Sequence, residues 1–319
     1  MLASGLPRAR ATGSAPVAGR FVMLDQIGAG GMGSVWRSRD LRTDTVVAVK
    51  VLGHHGGALL ARFVREQAVR IRHPHVVAPS GWAADEDVVV IVMDLVRGGS
   101  VADLIAAHGP LPAGHAALLV EQLLLALACV HATGLVHRDV KPANLLLEAT
   151  GTGPPHLRLA DFGVAAPIAD QRFTTAPGAV GTNGYMAPEQ ARGATPDPAQ
   201  DLYAVGRVAW QLVTGLHPSQ QTRIPSHPLR PLLERLLVVD PTQRLASADA
   251  ALRLLRRLRI PYEPGPVVRD RLGPDPVRRS RSRVAAGRPG TADLFAWAGV
   301  AGCLGVIAGC LCLLLGWVP

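Results

Sequence analysis

His137-Arg138-Asp139-Val140-Lys141-Pro142-Ala143-Asn144, followed by the apolar run Leu145-Leu146-Leu147, is the stretch around which this chain is organised. Pro142 forbids a helix through its middle, so the segment reads as a rigid loop that presents polar groups to one point. Asp139 and Asn144 are five positions apart and can converge on such a loop. A carboxylate there can accept a proton, and an amide oxygen can ligate a hard cation. Lys141 adds a point charge between them.

A solvated surface loop of the same composition would have no need of partner motifs, and this chain has them. Upstream, Gly28-Ala29-Gly30-Gly31-Met32-Gly33-Ser34-Val35 separates two apolar strands, the second ending in Val46-Val47-Ala48-Val49-Lys50. Glycines in such a turn let backbone N–H groups approach phosphates with no Cβ in the way. A dinucleotide-binding turn shares these letters but leads into a helix, whereas here the glycines lead into a second strand. Downstream, Leu157-Arg158-Leu159-Ala160 runs into Asp161-Phe162-Gly163, a second carboxylate beside a residue with a permissive backbone.

As a set, these motifs resemble those of protein kinases of the eukaryotic type, with the catalytic-loop pattern H-R-D-x-K-P-x-N and the D-F-G element. Lys141, two residues after Asp139, marks the Ser/Thr branch. The chain is similar in particular to bacterial, membrane-anchored members; its wealth of Arg, Ala, Gly and Pro suggests a GC-rich, actinobacterium-like source. The resemblance covers residues 21–259 and implies an α+β, bilobal protein kinase fold. A β-rich N-lobe over 21–96 and an α-rich C-lobe over 97–259 would hold ATP between them, with Mg²⁺ or Mn²⁺.

Roles follow from the resemblance position by position. Asp139 would accept the proton of a substrate hydroxyl, Lys141 would steady the γ-phosphate, and Asn144 and Asp161 would hold the metal. Lys50, paired with Glu66, would position the nucleotide. Ile27, Gly28, Gly30, Gly31, Gly33, Val35 and Ala48 would frame it, Met93 would guard the back of the pocket, and the backbone of Asp94 and Val96 would hold adenine. Thr174 and Thr175 lie where the family is phosphorylated, with Arg138 as the cation that would bind such a phosphate. Thr182 would bond Asp139 and Lys141, Glu189 would pair with Arg244, and Asp201 would tie down the catalytic loop. Two departures stand out: Arg70 occupies a position where the family carries an apolar side chain, and only 13 residues separate Pro218 from Leu232 where the family carries an additional helix.

The implied function is transfer of the ATP γ-phosphate to Ser/Thr hydroxyls of protein substrates, regulated by autophosphorylation. A pseudokinase scaffold that binds partners without phosphotransfer is the rival reading, and a small-molecule phosphotransferase a second. Intact Lys50, Asp139, Asn144 and Asp161 weigh against the first, and Ala187-Pro188-Glu189 against the second.

Composition agrees. At 319 residues and 48% hydrophobic content the chain can bury one large or two modest cores. Of its 33 basic residues only Lys50 and Lys141 are lysine, so a strong arginine bias spared the two places where a compact ammonium must fit between phosphate oxygens. The net charge of +9 is concentrated in part between Pro266 and Gly290, with seven Arg against two Asp, which points to a surface and not to nucleic acid. The four cysteines show no metal spacing or disulfide framework, and His54, His55, His73 and His75 read as solvated.

The flanks are read from composition. Residues 1–20 are a disordered tail without a signal-peptide core, and 260–292 a Pro/Arg-rich juxtamembrane linker. Residues 293–318, with the uncharged run Leu294 to Val318, read as a transmembrane helix that leaves the kinase side cytoplasmic and no external sensor beyond it. Ala301, Gly305 and Gly309 recur every four residues, a spacing that lets two helices approach closely; a homodimer is one reading of it, and ordinary membrane-helix glycine the other.

Overall fold

Val49 turns its side chain away from Ala48 and Lys50, and that alternation divides the first half of the structure into a packed face and a working face. The computed structural model describes residues 16–30, 33–52, 71–85, 88–162, 166–167, 184–220 and 223–275. Five antiparallel strands, β1 (Phe21–Gly30), β2 (Gly33–Asp40), β3 (Thr45–Leu52), β4 (Pro79–Asp85) and β5 (Val88–Met93), form one sheet in the order β1-β2-β3-β5-β4. Phe21, Met23, Val49, Val90 and Val92 close its packed face. On the other face, Val35 stands opposite Lys50 and Ala48 opposite Met93. Gly33 has φ 133°, and a Cβ there would collide with the Val51 carbonyl, so the β1–β2 turn requires glycine at this point.

The second half is helical. Ser100 caps α1 (Val101–His108) in a capping box with Asp103. The 20-residue α2 (Ala113–Ala132) buries Leu119, Val120, Leu123, Leu124, Leu127 and Val130. It is long and apolar enough to cross a membrane, but two-thirds of its apolar window is buried within the domain, as befits a core helix. The same apolar cluster takes in α4 (Pro198–Thr214), α5 (Arg230–Leu236) and α6 (Ala248–Arg257), while the one-turn α3 (Pro188–Ala191) buries Glu189 and Gln190 and adds no side chain to it. At roughly 1.5–3 kcal/mol for each large aliphatic side chain removed from water, this cluster dominates the stability of the lobe.

Two short two-stranded sheets carry the chemistry-bearing loops: β6 (Leu135–Val136) pairs with β9 (Ala166–Pro167), and β7 (Leu145–Leu147) with β8 (Leu157–Leu159). Pairing of Leu145 with Leu159 puts Asn144 beside Ala160, whose N–H donates to the Asn144 carbonyl at 2.9 Å. Register alone thus brings the loop after β6 and the Asp161 turn to one place.

The segment after α6 differs from a free linker over its described part. Residues 261–273 have almost no regular structure, yet Val268 is buried and exchanges two backbone hydrogen bonds with Gly151. Composition averages over the one apolar side chain that seats the segment. The segments 1–15, 53–70, 168–183 and 276–319 lie outside the described residues, and with them Glu66, Arg70, Thr174, Thr175, Thr182 and the apolar run from Leu294. Every element named here belongs to one unit that ends at Gly273.

Candidate active site

Asp201, in the first turn of α4, sets the backbone of the catalytic loop. Its carboxylate accepts the N–H groups of His137 and Arg138, both at 2.8 Å, and bonds the His131 ring at 2.8 Å. Burial opposes its charge, but the bonds from His131 and from the His137 N–H hold its pKa below the usual carboxylate value. Held this way, Arg138 adopts φ 66°, a left-handed conformation that a side chain of its size avoids unless the surroundings impose it. Gln190 of α3 adds a third support by donating to the Arg138 carbonyl at 2.9 Å.

Past that kink the polar groups converge. Lys141 Nζ lies 2.7 Å from Asp139 Oδ2. The Asn144 amide nitrogen donates to the Asp139 backbone carbonyl at 2.8 Å and to its Oδ2 at 2.9 Å. The amide nitrogen is committed to Asp139, so the amide oxygen is the Asn144 atom suited to a cation. Asp139 is largely shielded, with 14% of its side chain exposed, which strengthens every charge interaction around it.

The second carboxylate, Asp161, directly follows Ala160, whose N–H bonds the Asn144 carbonyl. Asp161 has φ 65° and takes the Lys50 ammonium on Oδ1 at 2.5 Å. Next to it, Phe162 points into the core with its ring edge-on to His137 at 5.0 Å, and the His137 ring bonds the Ala160 carbonyl at 3.1 Å. The catalytic loop and the Asp161 turn are therefore packed as one piece.

Beside Lys50 runs β5, where Ile91 is its partner, and then the strand exit. Val77, Val96 and Ala160 form a small buried cluster flanked by Met93 and Leu146. Arg158 of β8 bonds the Asp94 carboxylate at 2.7 Å, the Val76 carbonyl at 2.9 Å and Glu148 at 3.2 Å, fixing the strand exit from behind. Ile27, Gly28 and Gly30 lie at the end of β1, and Gly33 and Val35 at the start of β2, above Ala48 and Lys50; Gly31 is outside the described residues. Glu189 and Arg244 form a buried bidentate pair at 2.7 and 3.2 Å, joining α3 to the loop before α6.

Arg158, His131 and Gln190 escaped the sequence reading. In Leu157-Arg158-Leu159 the alternation of apolar and charged residues signals a strand with Arg158 on its outer face, but not what that face meets. Among the described residues no group of His, Cys, Asp and Glu forms a metal cluster of its own. The oxygens of Asn144 and Asp161 are nonetheless a hard donor set of the kind Mg²⁺ takes when phosphates complete its shell. At Gly33 the space a Cβ would fill is taken by the Val51 carbonyl, so this glycine serves the closure of the turn itself.

The comparisons agree with this geometry. The protein kinase domain family model matches residues 21–254. The chain is 35% identical over 269 residues to the serine/threonine-protein kinase PkaA of Streptomyces coelicolor, covering 74% of this chain and 49% of that protein. It is 37% identical over 258 residues to the serine/threonine-protein kinase pkn3 of Myxococcus xanthus, covering 70% and 47%. With PrkC of Bacillus subtilis, another serine/threonine-protein kinase, the identity is 34% over 207 residues, covering 63% and 31%. The chain thus spans about half the length, or less, of these curated relatives. With a family model over most of its length, this chain belongs to the protein kinase family.

Proposed function

We propose that the chain is a Ser/Thr protein kinase that transfers the γ-phosphate of ATP to Ser or Thr hydroxyls of protein substrates. The observation that carries this is the convergence of Lys141 and Asn144 on Asp139, together with the Lys50–Asp161 pair. Asp139 orients the substrate hydroxyl and takes its proton as the oxygen attacks. Lys141, beside that carboxylate, faces the charge that builds on the transferred group. Asn144 and Asp161 supply the oxygens for Mg²⁺ or Mn²⁺, which when bound neutralises charge on the phosphates. Lys50 holds the nucleotide, Ala48, Met93 and Val96 line its base, and the backbone of Asp94 and Val96 offers it hydrogen bonds. The kinase relatives support the Ser/Thr branch, and Lys141 is its local signature. A scaffold without phosphotransfer is not favoured, because it would have no use for Lys50 and Lys141 in a chain otherwise stripped of lysine.

The uncharged run Leu294 to Val318 and the arginines before it support a membrane tether with the catalytic domain on the cytoplasmic side. Autophosphorylation at Thr174 or Thr175, with Arg138 as the receiving cation, and pairing of chains through Ala301, Gly305 and Gly309 belong to the same reading. The test is transfer of labelled phosphate from ATP-Mg²⁺ by the full chain in detergent, alone and with a generic protein substrate, beside Asp139→Asn and Lys50→Met. Labelling on Thr or Ser by wild type alone supports the proposal. A wild-type chain that binds ATP and never transfers phosphate overturns it.

A further inference from the structure

After α6 the chain does not leave the domain; it crosses three of its parts in succession. The Pro261–Glu263 backbone lies against Gly114, and Gly265 over His115, at such close range that a Cβ on either glycine would collide. Val268 then seats in the main core and pairs with Gly151, close against Gly98. At the far end, Arg271 donates its N–H to the Arg97 carbonyl at 2.9 Å, and its guanidinium reaches Asp103 at 3.0 Å. Arg97 returns the contact: its Nε bonds Asp270 at 2.9 Å and its Nη2 bonds the Gly273 carbonyl.

Arg97 directly follows Val96, so what holds Arg97 holds the strand exit that lines the cleft. The same turn also touches the sheet. Arg37 of β2, buried and bidentate on Asp25, extends its Nη1 to the Leu272 and Gly273 carbonyls at 3.3 and 3.4 Å. Asp270 shapes that turn by accepting the Leu272 and Gly273 N–H groups at 2.8 and 3.0 Å on the oxygen that Arg97 does not use. One short segment therefore fastens the sheet, the strand exit and α1 to each other.

We infer that residues 268–273 are a clasp that positions the nucleotide cleft, with Asp270 as its positioning residue through Arg97. This rests on the phosphotransfer reading above. Movement of the sheet away from the helical lobe stretches the Arg37 bonds, and release of Arg97 loosens the backbone of residues 95–98. The clasp acts on nucleotide affinity and leaves the transfer step alone, because Asp270 touches none of Asp139, Lys141, Asn144 or Asp161.

The experiment compares the full chain in detergent with Asp270→Ala and Asp270→Asn. The readouts are KM for ATP, kcat with a generic protein substrate, and hydrogen exchange of the amides at 95–98. Asp270→Ala is expected to raise KM for ATP about three- to fivefold, the range of a partly exposed ion pair, with kcat within twofold and faster exchange at 95–98. Asp270→Asn, which keeps the turn's acceptor and loses the charge facing Arg97, is expected to fall between wild type and Asp270→Ala. Unchanged exchange at 95–98, or a fall in kcat at constant KM, overturns the clasp. A wild-type chain that transfers no phosphate while Asp270→Ala still speeds exchange there counts against phosphotransfer and for the mechanical link.

Discussion

Lys50 and Asp161 meet at 2.5 Å although 111 residues separate them, and the two β-pairings that position them are independent. Lys50 stands in β3 opposite Val35 and Ile91, while Asp161 follows β8 at a kink with φ 65°. The Lys50 side chain is 9% exposed, and its charge is satisfied by the carboxylate that is proposed to hold the metal. Lys50→Met removes this charge from the site proposed to hold the phosphates of the nucleotide. Phosphate transfer is expected to fall by about 10²-fold or more, measured at saturating ATP with labelled substrate.

Asp139→Asn keeps the shape of the loop and removes the proton acceptor. Its expected effect is a kcat lower by about 10²–10⁴-fold with nucleotide affinity close to wild type, because Lys50 and the strand exit after β5 are untouched. Isothermal titration with a non-hydrolysable ATP analogue, beside steady-state kinetics, separates the two quantities. A matching loss of affinity would move Asp139 from chemistry to binding.

How far the sequence foretold this site depends on whether a motif carries its own geometry. His137 to Asn144 and Asp161-Phe162 were legible because their residue types and spacing are local, and the β7–β8 pairing only completes what the letters announce. The core helix α2 is legible in its apolar run, Leu118 to Val130, and begins at Ala113 after Pro112. The Arg158–Asp94 contact is not, since the two are 64 positions apart and meet only once β8 packs against the strand exit. Arg97 and Asp270 are 173 apart, the second in a segment whose proline and arginine content reads as linker; a single buried valine outweighs that composition.

Asp201 makes the catalytic loop depend on a buried charge. Replacing it with Ala leaves the His137 and Arg138 N–H groups buried without their acceptor, at about 1–3 kcal/mol each. The expected outcome for Asp201→Ala is a lower urea midpoint together with lost transfer; Asp201→Asn, which can still accept, loses less stability. The pH dependence has a definite sign. The folded pKa lies below the ordinary value near 3.9, so this stabilisation is complete above that pH and disappears as pH falls through the folded pKa. Denaturant unfolding of wild type and Asp201→Asn between pH 3 and 7 checks this, the gap between them narrowing on the acid side.

His115 gives the domain a second acid sensitivity, at milder pH and of separate origin. Its residue is 1% exposed, neither ring nitrogen has a hydrogen-bond partner, and Gly265 and Tyr262 cover it. Burial lowers its pKa from the ordinary value of 6.5, so the native state binds its proton less readily than the unfolded chain does. Stability from this group is therefore complete above about pH 6.5 and is lost progressively as pH falls below it. His115→Leu removes the titration and the two unsatisfied nitrogens together. The variant is expected to be at least as stable as wild type at pH 8, where only the loss of the two unsatisfied nitrogens counts, and to gain on it steadily towards pH 5. His73, His75 and His227 also have pKa values lowered by burial, but they are present in both proteins and cancel in the difference. A gap that stays constant from pH 8 to pH 5 would mean that the covering segment opens before His115 takes up its proton, and the seat of residues 261–265 would then be weaker than that of Val268.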